Sequence, residues 1–115
     1  MQASRWQVAS RGFVLLNTDG CSKGNPGASG EGGVLRDPDG QVLVGYSAFL
    51  GVNTSLRAEV LALLTGLRLC VQKGFTQVRA QSNSLVLVGI LQRRFQCPWH
   101  IRKEVTQIWQ IVDDL

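Results

Sequence analysis

The sequence predicts an α/β fold, a mixed sheet with the element order β-β-β-α-β-α-α. Three observations carry that reading. Short apolar runs closed by turn residues fill the first half, a long helical pattern occupies 54–73, and a second strand-like run follows at 76–81. A strand, a helical crossover and another strand make the two strands parallel, with both carboxyl ends on one edge.

Residues 12–18, GFVLLNT, are apolar on both faces, as a central strand is, and Asp19 and Gly20 end the run. The stretch from Gly20 to Gly33 holds six glycines, both ends included, and Pro26, which read as a loop. GVLRD and QVLVGYSAFL then flank a DPDG turn, a β-hairpin signal in which Asp37 and Asp39 serve as turn residues. From Thr54 to Lys73 the pattern is helical: Thr54 or Ser55 can cap, Glu59 falls in the first turns, and Gly74 follows the last periodic residue. Ala58, Ala62 and Gly66 recur every four residues as a small-residue ridge, and Glu59 lies beside it. A carboxylate next to a packed face is costly unless something uses it. The strand at 76–81, a short helix from Ser84 to Leu91 and an amphipathic helix from Trp99 to Val112 complete the order.

A chain of 115 residues, 44% hydrophobic and 17% charged, reads as one domain over 1–115 with a modest core. It holds no apolar run of the ~20 residues a membrane span needs. The start MQASRWQVAS has no apolar leader core, so the expectation is an intracellular protein without a membrane partner. Cys21, Cys70 and Cys97 are odd in number and lack zinc-type pairing, which fits reduced thiols. A net charge of +4 permits a polyanionic partner. The stretch RRFQCPWHIRK, from Arg93 to Lys103, interleaves Arg93, Arg94, Arg102 and Lys103 with Phe95, Trp99 and His100 and contains no acid. It fits phosphate contacts plus stacking, and equally a solvated helix junction whose aromatic residues plug the core.

Several chemistries find no support. GNPGASGEGG has neither the spacing of a phosphate-binding loop nor that of a dinucleotide fingerprint, and the single histidine, His100, has no nucleophile in a suitable context. The topology instead brings Asp19, Glu59 and Asn83 toward one edge, although 64 positions separate the outer two. Such edges are where sites form in α/β sheets. Asn83 is also well suited to cap the helix that follows it.

Three segments, NTDGCSKGNPGASGEGGVLRD, TSLRAEVLALLTGL and VRAQSNSLVLVGIL, together resemble a type 1 ribonuclease H domain, most closely its plant, retroelement-related version. The likeness runs from near Phe13 to the C-terminus. It rests on the T-D-G-x-x-x-x-N-P-G element combined with the Ala58-Glu59 helix start. The resemblance implies a ribonuclease H-like sheet and hydrolysis of the RNA strand of RNA·DNA hybrids by two Mg2+ or Mn2+ ions held by four carboxylates. Asp19 and Glu59 match the first two carboxylates and the metal ligands among them. The third falls at Asn83, within Ser82-Asn83-Ser84, as a catalytic position without its charge. The fourth has no counterpart, because the chain stops at Leu115, where the family's last strand and helix would follow.

The implied domain is therefore truncated relative to the family, with weak metal binding and weak or absent cleavage. A non-catalytic nucleic-acid-binding or scaffold domain is the alternative. Ser22, Gly24, Asn25 and Thr54 match nucleic-acid contacts, and Arg93, Arg94 and Trp99 are added to them from the basic segment. Ser55 and Leu85 replace an asparagine and a glutamine that commonly reach the hybrid's bases. Without a fifth strand, the 76–81 strand is expected to expose its outer edge and to invite self-association.

Overall fold

The computed structural model describes residues 5–7 and 13–115. Its elements run β1 (Arg5–Gln7), β2 (Val14–Gly24), β3 (Gly27–Arg36), β4 (Val42–Asn53), α1 (Ser55–Gln72), β5 (Val78–Ser82), α2 (Leu85–Leu91), a 3-10 turn (Trp99–Ile101) and α3 (Arg102–Asp114). The expected order holds from β2 onward, with one strand added before it. The sheet order is β1-β5-β2-β3-β4. β2 and β5 are parallel, from Val14 opposite Val78 to Thr18 opposite Ser82, as a helical crossover requires.

Burial alternates along β2: Val14, Leu16 and Thr18 are buried, Leu15 and Asn17 half-buried, Asp19 exposed. The buried face meets α1, on which α3 packs. Leu16, Leu35, Leu63, Leu67, Val78, Ile90 and Ile108 form the centre of that core. The opposite face is only partly covered, so the expectation of a strand buried on both faces is corrected. Its alternation was hidden because Leu15 is apolar although it faces outward.

The glycine-rich stretch is strand rather than loop. Ten pairs register β2 against β3, from Leu15 opposite Arg36 to Gly24 opposite Gly27, leaving Asn25 and Pro26 as the turn. Glycine raises the entropic cost of ordering a strand, and here close packing offsets it. A Cβ on Gly20 would collide with the Ala58 carbonyl, and one on Gly33 with the Tyr46 ring. The β3–β4 hairpin stands where the DPDG turn placed it, closed by Asp37 Oδ1, which accepts the N–H groups of Asp39 and Gln41 at 2.9 Å each.

Helix α1 begins as its sequence signals. Thr54 Oγ1 accepts the Arg57 N–H at 3.1 Å, capping the first turn. At the other end Gly74 adopts φ 81°, and the N–H groups of Gly74 and Phe75 return to the Val71 and Cys70 carbonyls at 3.0 and 2.9 Å. This left-handed closure favours glycine. The small-residue ridge packs inward: Ala58 and Ala62 are fully buried, and Gly66 lies against Leu16 and Tyr46.

The outer edge at 76–81 is not bare. β1 pairs antiparallel with β5 there, with Arg5, Trp6 and Gln7 opposite Gln81, Ala80 and Arg79. The expected route to self-association through that edge is therefore corrected, since this chain's own strand occupies it. Three residues are too short for alternation to show in the sequence.

Candidate functional site

Two backbone ends and one helix meet at the carboxyl edge of β2 and β5. Asp19 stands exposed on β2, opposite Gly32. The next residue, Gly20, donates its N–H to Glu59 Oε1 at 3.1 Å, and from the end of β5 Ser82 Oγ donates to Glu59 Oε2 at 3.1 Å. Ser82 Oγ in turn accepts the Ser84 N–H at 3.1 Å. Both oxygens of the Glu59 carboxylate are thus held, and the side chain is 9% exposed. Burial raises its pKa above the ordinary 4.5, the bonds from Gly20 and Ser82 pull it back, and the negative charge of Asp19 adds to the rise.

Asn83 is exposed between these groups. It lines a recess of about 400 Å³ with Asn17, Asp19, Gly32 and Gln81, and a second of about 340 Å³ with Asn25, Ser55, Glu59 and Ser84. The edge therefore brings Asp19, Glu59 and Asn83 together, as the topology implied. Its capping role is corrected. Ser84 is the N-cap of α2, its Oγ accepting the Leu87 N–H at 3.1 Å. Two cap-type residues stand in succession there, and helix α2 starts after the second.

Ser22, Gly24, Asn25 and Thr54 cluster at the tip of the β2–β3 hairpin and the start of α1. Ser22 Oγ bonds to the Gly24 carbonyl at 2.5 Å and the Asn53 carbonyl at 3.0 Å, and Asn25 Oδ1 accepts the Ser55 N–H at 3.0 Å. With Thr54 as cap, these bonds fasten the tip to the helix beside the Glu59 recess.

The basic segment lies elsewhere. Arg93 ends α2 with φ 61° and lays its guanidinium 3.8 Å above the Trp109 ring. Arg94 is exposed, 6.0 Å from the Phe95 ring, and Trp99 is 83% exposed, edge-on to His100. None of the three lines either recess of the carboxylate edge. Arg57 ties the segment to α1 through the His100 carbonyl at 3.3 Å and Glu104 at 3.4 Å.

Comparison with known proteins decides what this arrangement belongs to. A family model described as reverse transcriptase-like matches residues 17–115. The chain belongs to the reverse transcriptase-like family. The fold of this member is that of ribonuclease H. A protein of Arabidopsis thaliana named as a ribonuclease H protein, At1g65750, is 38% identical over 87 residues, covering 76% of this chain and 14% of that protein. The chain thus spans a small part of that relative's length. The N-terminal RNase H domain of rv2228c from Mycobacterium tuberculosis superposes with a TM-score of 0.85 at 28% identity, covering 90% of this chain and 76% of that one. LC11-RNase H1, solved in complex with an RNA/DNA hybrid, superposes at 0.81 and 28%, covering 88% and 77%.

In this reverse transcriptase-like chain, the groups that fix Glu59 escaped the sequence reading. Gly20 acts through a backbone N–H, which carries no side-chain signal. Ser82 was visible only as a small polar residue ending a strand. Among the described residues no three His, Cys, Asp or Glu side chains gather to hold a metal ion. Two carboxylates face the edge, one of them already accepting two hydrogen bonds.

Proposed function

We propose that this chain is a ribonuclease H-type domain that holds an RNA·DNA hybrid and hydrolyses its RNA strand weakly or not at all. What carries the reading is the combination at one edge: Asp19 and a doubly held Glu59, with a neutral amide, Asn83, between them. A relative of the same fold was solved with an RNA/DNA hybrid, and the net charge of +4 suits a polyanion.

Hydrolysis of the hybrid by two metal ions needs a site for a pair of divalent cations about 3.5–4 Å apart. The donors here do not fit that pair: Asp19 and Glu59 offer two negative charges against four positive ones, and an amide oxygen is a poorer ligand for a hard cation. A single Mg2+ or Mn2+, weakly held between Asp19 and Glu59, is what the donor set accommodates. Substrate contacts fall to Ser22, Gly24, Asn25 and Thr54 around the hairpin tip. The Ser22 hydroxyl directs its proton to the Gly24 and Asn53 carbonyls, so it meets an RNA 2′-hydroxyl as an acceptor.

The experiment is a titration of a labelled RNA·DNA duplex against duplex DNA, with cleavage followed in Mg2+ or Mn2+. Salt-sensitive binding that prefers the hybrid, with cleavage near background, is the expected result. Rapid, EDTA-sensitive cleavage by the 115-residue chain overturns the weak-hydrolysis reading, and absence of binding overturns the whole.

A further inference from the structure

The open face of the sheet beyond Asp19 carries a feature that the proposed hybrid site does not use. Register lines up three rungs across β2, β3 and β4: Asp19, Gly32 and Ser47; Cys21, Gly30 and Phe49; Lys23, Ala28 and Val52. Together the second and third rungs floor an open groove of about 590 Å³, lined by Cys21, Lys23, Ala28, Gly30 and Phe49. Its floor is nearly bare of side chains at Gly30 and Ala28. Phe49, which lines it, is 78% exposed, and Val52, on the third rung, is 74% exposed, two large apolar side chains open on neighbouring rungs. Lys23 supplies a positive charge at the far end.

We propose that this groove is a stacking subsite for an unpaired nucleobase, in the nucleic-acid strand that passes Asp19, with Lys23 at a following phosphate. The inference rests on the nucleic-acid reading of the Asp19 edge and extends it to single-stranded overhangs. Successive rungs on one face are about 7 Å apart along a strand, so Lys23 lies about 13 Å from Asp19. That span suits a backbone advancing by two nucleotides. An aromatic face over a glycine floor takes a base of any identity, and a lysine alongside neutralises phosphate without reading sequence. A base inside a duplex is stacked on its neighbours and cannot use such a face, so the ligand is unpaired. The alternative occupant, a second copy of the chain, would bring together two basic molecules with Lys23 at the contact, and like charge opposes that.

Fluorescence anisotropy with labelled RNA·DNA duplexes, either blunt or carrying a three-nucleotide single-stranded extension at one end or the other, tests the subsite. The wild-type chain should bind one of the extended duplexes about tenfold more tightly than the blunt one, the effect of stacking a single base. Phe49→Ser should abolish that advantage while leaving blunt-duplex affinity within about twofold, Phe49→Trp should keep it, and Lys23→Ser should reduce it and its salt dependence. If the blunt duplex binds and neither extension adds affinity, or Phe49→Ser leaves the advantage intact, the subsite is overturned while the hybrid reading stands. If no duplex binds, both fall. A Phe49-dependent dimer in light scattering reassigns the face to self-association and overturns the subsite.

Discussion

Ser82 Oγ donates to Glu59 Oε2 at 3.1 Å while accepting the Ser84 N–H at the same distance. One hydroxyl therefore joins the end of β5, the start of α2 and the buried carboxylate of α1. Removing it in Ser82→Ala leaves a buried carboxylate oxygen and the Ser84 N–H short of partners. The expected loss is about 1–3 kcal/mol in urea unfolding, at the charged-group end of the hydrogen-bond range. Ser82→Thr keeps the hydroxyl and should recover most of it. Equal losses in the two variants would mean that packing at this position, not the hydrogen bond, matters.

Glu59 also sets the direction of a pH effect. Its folded pKa lies above the ordinary 4.5, chiefly because it is buried. The folded state then holds the proton more tightly than the unfolded chain, so stability falls as pH rises from about 4.5 to the raised value and is level above it. Glu59→Gln removes that titration and can still accept from Gly20. In EDTA, the variant should unfold at a higher temperature than wild type at pH 7 and lose this advantage below pH 4.5. A variant less stable than wild type at pH 7 would show that ionised Glu59 is favoured by its hydrogen bonds.

Close packing of β2 on α1 makes Gly20 intolerant of any side chain. A methyl there meets the Ala58 carbonyl and the Glu59 backbone nitrogen, neither of which yields as a flexible side chain would. Gly20→Ala should cost about 3 kcal/mol, at the upper end for overpacking, read as a lowered urea midpoint. Because Gly20 also holds Glu59, Mn2+ binding should weaken with it.

How much of this was readable in advance depends on the range of the signal. Thr54, Gly74 and the DPDG turn act within a few residues, so helix α1 and the β3–β4 hairpin were legible with their ends. The glycines of 20–33 were misread because glycine announces a turn by local preference, whereas here β2, β4 and α1 demand it through long-range approach. The Asp19–Glu59–Asn83 convergence followed from topology. Its supports, the Gly20 N–H and the Ser82 hydroxyl, act on Glu59 from 39 and 23 positions away and left no local mark. Likewise nothing near Arg93 indicates that its guanidinium rests on Trp109.

That contact separates two arginines that sequence alone treats alike. Both are exposed, but the Arg93 guanidinium lies 3.8 Å above the Trp109 ring, whereas that of Arg94 stands 6.0 Å from the Phe95 ring. Arg93→Ala should lower stability by about 0.5–1 kcal/mol, as an exposed cation–π pair does, with hybrid affinity little changed. Arg94→Ala should leave stability alone. If Arg94 touches a phosphate, its loss reduces the slope of log affinity against log salt by about one; an unchanged slope returns the segment to a solvated junction.

The neutral residue at the carboxylate edge yields the sharpest test, because its effect should reverse sign with metal. Asn83 belongs to both recesses, the one with Asp19 and the one with Glu59, and it does not cap α2. Asn83→Asp therefore places a third carboxylate against two others without disturbing a helix start. In EDTA, like charges oppose one another, and the variant should melt below wild type at pH 7. With Mn2+ or Mg2+ the same charges become ligands; cation affinity should rise on the order of tenfold, since charge count tunes such sites. Ligand linkage should then carry the variant's melting temperature above that of wild type at saturating cation. Hybrid cleavage should remain slow, because three carboxylates still fall short of the charge that a pair of divalent ions brings. Differential scanning fluorimetry across a cation titration reads the crossing directly. A variant whose melting temperature shows no cation dependence would mean that residue 83 and the two carboxylates do not hold a cation together.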